Sequence, residues 1–109
     1  MNYFVTEWKH LLEKKKIRIK IEARSIIVFV VDELPYALLD KCPHQGFPLF
    51  NGRFESGIIQ CKEHGLEIDV RTGVVINLVK ANYLDLSESD RVVKTFPAFV
   101  ERDKVYVVL

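Results

Sequence analysis

The chain has 109 residues, 49% of them hydrophobic, which suits a single domain spanning residues 1–109 with a modest core. Sixteen basic side chains against 15 acidic ones leave a formal charge of +1, so no net field draws the protein to nucleic acid or to an anionic membrane. Glu7 and Lys9 interrupt the first twelve residues before signal-peptide length, and the longest apolar run, Ile26 to Val31, is far short of a membrane span. Both features point to a soluble, cytoplasmic protein.

Taken in chain order, Thr6 is placed to cap a short helix, with Glu7 in its first turn and Trp8, Leu11 and Leu12 on one face. His10 lies on a charged stretch and reads as a solvated surface residue. After the charge block Glu13 to Lys16, Ile17, Ile19 and Ile21 alternate with Arg18, Lys20 and Glu22, the period of a half-buried strand. A turn at residues 23–25 leads into Ile26 to Val31, six β-formers in succession and hence a central strand covered on both faces. Asp32 to Pro35 reverses the chain into a strand over Tyr36 to Leu39, which ends next to Cys42.

Asn51-Gly52 and Ser56-Gly57 mark turns, and Ile58-Ile59 is a short strand leading to Cys61. Glu67 to Val70 and Val74 to Ile76 flank Arg71-Thr72-Gly73 as a hairpin. Asn77 to Asp90 has no clean period and reads mostly as loop. Val92 to Lys94, Ala98 to Glu101 and Val105 to Leu109 read as strands, the last two joined by a turn at Arg102-Asp103-Lys104. Short strands at close intervals predict an all-β antiparallel sandwich or barrel.

The chemistry is concentrated between Cys42 and His64. Both cysteines and two of the three histidines fall there, as Cys-x-His, sixteen residues, then Cys-x-x-His. Cys42, His44, Cys61 and His64 are four borderline-soft ligands on two short loops, able to converge on one metal centre. A Cys2His2 zinc module uses the same residue types, but it normally pairs cysteine with cysteine and histidine with histidine, whereas here each loop mixes the two.

The strings CPHQG and CKEHG, with LEIDVRTG following the second, resemble the two ligand loops of the Rieske 2Fe-2S proteins. That resemblance implies an all-β fold with a cluster-binding subdomain over residues 40–66. It also implies one 2Fe-2S cluster, with Cys42 and Cys61 on one iron and His44 and His64 on the other. Two ferric ions, two sulfides and two thiolates then sum to zero charge, which raises the potential above that of four-cysteine ferredoxins. Rieske proteins of respiratory and photosynthetic complexes add a loop disulfide and hydroxyl residues that donate to sulfur. Here those positions hold Phe47 and Glu63, and Leu66 and Ile68.

The chain therefore resembles the soluble Rieske-type ferredoxins, monomeric one-electron carriers that pass electrons from a reductase to an oxygenase or another redox enzyme. On that reading it is not an enzyme itself, and its partners are redox proteins, with neither nucleic acid nor membrane. A small Rieske subunit of a nitrite-reductase-like complex and a redox-sensing or zinc-binding module are the alternatives. Phe47 and Pro48 are expected at the surface beside the histidines, ringed by Lys41, Arg53, Lys62 and Glu63. For Leu49 and Phe50, packing beneath the cluster and exposure carry about equal weight.

Overall fold

The computed structural model describes residues 1–109 and contains three antiparallel sheets. The strands, in chain order, are β1 (Asn2–Glu7), β2 (Lys16–Ile21), β3 (Arg24–Val31), β4 (Leu34–Leu39) and β5 (Arg53–Glu55). They continue with β6 (Ile58–Gln60), β7 (Glu67–Asp69), β8 (Thr95–Phe96), β9 (Ala98–Glu101) and β10 (Lys104–Val108). Two short helices, α1 (Trp8–Lys14) and α2 (Leu78–Tyr83), interrupt them. The sheets have the orders β1-β10-β9, β2-β3-β4-β8 and β5-β6-β7. No helix is long and apolar enough to cross a membrane.

The run Ile26 to Val31 is the central strand its composition predicts, because β3 is paired on one side with β2 and on the other with β4. Its two faces serve different cores. Ile27, Phe29 and Val31 point into a cluster of 15 buried residues that includes Cys42, Leu49, Cys61, Leu66 and Ile68. Ile26 and Val28 point into a second cluster with Leu11, Phe96, Val105 and Val107. Ile26, Ile27, Val28 and Phe29 are all 0% exposed, and their burial is worth on the order of 6–12 kcal/mol before entropy is counted. This strand joins the cluster-bearing half of the molecule to the half that holds its termini.

Four sequence expectations need correction. Thr6 does not cap a helix, because residues 2–7 form β1, paired with β10 from Asn2 opposite Val108 to Glu7 opposite Lys104. Helix α1 begins only at Trp8, whose N–H donates to Asp103 O at 2.9 Å. Tyr3, Phe4, Val5 and Thr6 are good strand formers, and their partner lies about a hundred residues away, where no local signal reveals it. Asn77 to Asp90 is not mostly loop: it holds α2 and a short 3-10 turn at Glu88–Arg91. Val92 to Lys94 forms no strand, its place being taken by β8 at Thr95–Phe96, and Val74-Val75 makes only isolated bridges to Val92 and Ile68.

Candidate metal centre

Two loops carry the chemistry: residues 40–52 between β4 and β5, and residues 61–66 between β6 and β7. Their backbones share one hydrogen-bond frame. In the first, Cys42 N–H donates to Phe47 O at 2.6 Å and Gly46 N–H donates back to Cys42 O at 3.0 Å. In the second, Cys61 N–H donates to Leu66 O at 2.7 Å and Gly65 N–H donates back to Cys61 O at 2.8 Å. In both, the cysteine is tied to the residues four and five positions later, and the fourth is a glycine at positive φ, +73° in Gly46 and +72° in Gly65. The unequal spacings Cys-x-His and Cys-x-x-His are thus two settings of the histidine in one loop geometry.

The loops bring all four sequence-predicted residues together. Ligand atoms of Cys42, Cys61 and His64 all lie within 4.8 Å of one another. The His44 and His64 rings meet edge to face with centroids 4.2 Å apart. Both cysteines are free and buried, and both histidines are half-buried. Burial pushes the Cys42 thiol up to about 12, helped by its hydrogen bond with Cys61. Such a thiol stays protonated at neutral pH unless a cation takes the proton's place.

Nδ1 of His44 and Nδ1 of His64 are buried with no hydrogen-bond partner. Two orphaned imidazole nitrogens beside two buried thiols form a donor set that protein contacts alone leave unsatisfied, and a metal cluster satisfies it. The residues therefore fit the group that the motif implies. His10 takes no part, being exposed on α1.

The first loop is tied down at its far end by residues that the sequence reading missed. Asp40, with a side chain only 2% exposed, accepts from Leu49 N–H at 2.7 Å and Phe50 N–H at 2.9 Å through one carboxylate oxygen. The other oxygen accepts from Ser25 Oγ at 3.0 Å and pairs with Arg18 Nε at 2.8 Å. Lys16 Nζ donates to Phe50 O and, at 3.1 Å, to Gly52 O. Lys16 of β2 and Asp40, the residue that follows β4, thus grip the segment 49–52 by its carbonyls and its amides. The sequence signal for Asp40 was only its place two residues before Cys42.

Of the apolar residues after the first loop, Leu49 is fully buried and Phe50 half-buried under the Lys16 and Arg18 head groups. Phe47 and Pro48 are exposed, and the Phe47 ring lies 5.8 Å from that of His64. Lys41, Arg53, Lys62 and Glu63 are also exposed. Leu66 and Ile68 are fully buried in the larger core.

A small antiparallel β domain carrying two matched loops, each with one thiol and one imidazole, defines an iron-sulfur protein of the mixed-ligand kind. The family model described as the Rieske [2Fe-2S] domain matches residues 1–97, and the chain belongs to that family. Its cofactor is accordingly a 2Fe-2S cluster, which the clustered cysteine and histidine side chains suit.

Among known proteins, 38 residues are 50% identical to the oxygenase component of dicamba O-demethylase from Stenotrophomonas maltophilia, covering 35% of this chain and 11% of that protein. The fold is shared with a fluorene-bound complex of oxygenase and ferredoxin from carbazole 1,9a-dioxygenase, at TM-score 0.83 and 22% identity over 97% of this chain and 28% of the matched one. A second complex of reduced oxygenase and oxidized ferredoxin in carbazole 1,9a-dioxygenase aligns at TM-score 0.79 and 24% identity, covering 98% of this chain and 92% of the matched one. The terminal oxygenase of carbazole 1,9a-dioxygenase from Novosphingobium sp. KA1 gives TM-score 0.83 at 20% identity, over 99% of this chain and 29% of that one. The chain thus spans less than a third of the oxygenase chains it resembles.

Proposed function

We propose that the protein is a one-electron carrier in which Cys42 and Cys61 bind one iron of the 2Fe-2S cluster, and His44 and His64 bind the other. The observation that carries this reading is the pair of loops with one hydrogen-bond frame, which brings two buried thiols together with two imidazoles whose Nδ1 atoms lack partners. When bound, the cluster supplies reversible one-electron chemistry, at a potential above that of all-thiolate clusters. The chain does the rest. The core around Leu49, Leu66 and Ile68 excludes water from the thiol side, and the half-buried histidines leave the opposite side as the route for the electron.

The natural partners on this reading are a reductase and an acceptor such as a terminal oxygenase, met in the cytoplasm by a monomer whose residues 1–109 form one Rieske domain. Exposed Phe47 and Pro48 beside the imidazoles offer a small apolar contact suited to brief docking. The deciding experiment is the metal content of protein purified without oxygen. About two irons and two acid-labile sulfides per chain, with a reduced-state paramagnetic signal lost in Cys42→Ser and His64→Ala variants, are expected. One zinc per chain without sulfide would refute the proposal and favour a structural zinc module.

A further inference from the structure

Each glycine that closes a ligand loop is roofed by a lysine. A Cβ built on Gly46 would stand 3.1 Å from Lys41 Cε, and one built on Gly65 would stand 3.6 Å from Lys80 Cε and 4.0 Å from Lys80 Nζ. The two lysines come from different places. Lys41 immediately precedes Cys42, whereas Lys80 reaches the second loop from α2, a helix fastened to the strand that leaves that loop. Asn77 caps α2 by accepting from Lys80 N–H at 3.0 Å, and its amide donates to Glu67 Oε1 at 3.2 Å. Ile76 N–H also donates to Glu67 O at 2.8 Å.

Neither lysine makes an ion pair: the three in the protein are Arg18 with Asp40, Arg53 with Glu55, and Arg71 with Asp69. Of the carboxylates in and beside the second loop, Glu63 is exposed and Glu67 accepts from the Asn77 amide rather than pairing with Lys80. Lys80 is half-buried, and its ammonium stands 5.7 Å from the Tyr83 ring centroid. Two lysines without an ion-pair partner are therefore held, one against each loop.

From this placement we infer that Lys41 and Lys80 set the reduction potential of the protein, by stabilising the electron that the cluster accepts. The inference rests on the cluster assignment above. A neutral oxidised centre becomes anionic on reduction, so a cation held nearby favours the reduced form. The pair would supply electrostatically what Leu66 and Ile68 cannot supply as hydrogen-bond donors. Lys80 is the stronger of the two, because partial burial lessens the screening of its charge by solvent and salt.

The test is protein-film voltammetry of the loaded protein and of Lys80→Gln, Lys80→Met, Lys80→Arg and Lys41→Gln variants, with iron and sulfide counted in each. Lys80→Gln and Lys80→Met should lower the ratio of reduced to oxidised protein at fixed applied potential by about two- to tenfold. Lys41→Gln should lower it less, and Lys80→Arg should restore it. Lys104→Gln, in a sheet that does not pair with the cluster-bearing one, should leave it unchanged.

An unmoved potential in fully loaded Lys80→Gln and Lys80→Met overturns the inference. So does loss of the cluster from both neutral variants with Lys80→Arg intact, because the lysine is then a fold element. Wild-type protein without iron and sulfide would refute the cluster assignment and this inference with it. The two failures are therefore told apart by the metal count.

Discussion

Replacing Asp40 by alanine removes the acceptor at the root of the first ligand loop, and the cost follows from its partners. The side chain, 2% exposed, accepts two backbone N–H groups and one hydroxyl and pairs with one guanidinium. Arg18, with 39% of its side chain exposed, turns to water when its partner is lost and costs little. The buried Leu49 amide has no such recourse and costs about 1–3 kcal/mol when unsatisfied, while the part-buried Phe50 amide costs less, so Asp40→Ala should lose about 2–4 kcal/mol in all. Asp40→Asn keeps an oxygen for both amides and gives up the charge, so it should lose about 1–2 kcal/mol. The assay is urea unfolding of wild type and both variants, followed by far-ultraviolet circular dichroism, with the rate of iron release to a chelator measured in parallel. Both variants should release iron faster, alanine more than asparagine, because the segment 49–52 closes the loop that carries Cys42 and His44. An Asp40→Ala variant within 0.5 kcal/mol of wild type, a rough threshold set by ordinary surface substitutions, would show that the loop is held by other means.

Leu66→Ser places a hydroxyl where the backbone of the second loop turns, and it should raise the reduction potential by donating to a cluster sulfur or thiolate. Since Leu66 is 0% exposed, the same change should cost about 2–5 kcal/mol of stability; an unraised potential in a folded, loaded variant would sink the argument. Burial raises the pKa of the Asp69 carboxyl, but its hydrogen bonds and ion pair with Arg71 outweigh this and hold it below 3.8. A depressed carboxyl stabilises the fold above that value and loses its contribution as pH falls below it. Wild type should therefore exceed Asp69→Asn in stability at pH 7 by up to about 1 kcal/mol, a modest figure for so exposed a pair, and the gap should narrow as the pH falls below 3.8. A gap that does not change with pH would contradict that account.

Much of this protein was legible in its sequence because the relevant signals are short-ranged. The run Ile26 to Val31 reads as a doubly covered strand from six residues alone, and the four proposed ligands stand out by chemistry and spacing within a 23-residue window. The N-terminal strand was misread as a helix cap because its hydrogen-bond partner is β10, at the opposite end of the chain. Strand pairing across that separation leaves no local trace, whereas Trp8, Leu11 and Leu12 leave a helical one. The segment 77–90 was misread for a related reason. Helix α2 has six residues, too few to display a period, and Leu78, Val79 and Tyr83 are exposed, so its residues do not sort into buried and solvated faces.

The proposed ligand set, the all-β character and the mixed cysteine and histidine pattern thus belonged to the sequence alone, since they depend on residue type and on spacings of a few positions. Tertiary structure decided that the two unequal motifs share one hydrogen-bond frame, that Asp40 at the root of the first loop and Lys16 on β2 brace its far end, and that Lys80 reaches the second loop from α2. Each of these joins groups distant in sequence or depends on the path of the backbone between named residues. Distance and hydrogen-bond direction become defined only when the chain has closed on itself, and these contacts are where the environment of the electron is set.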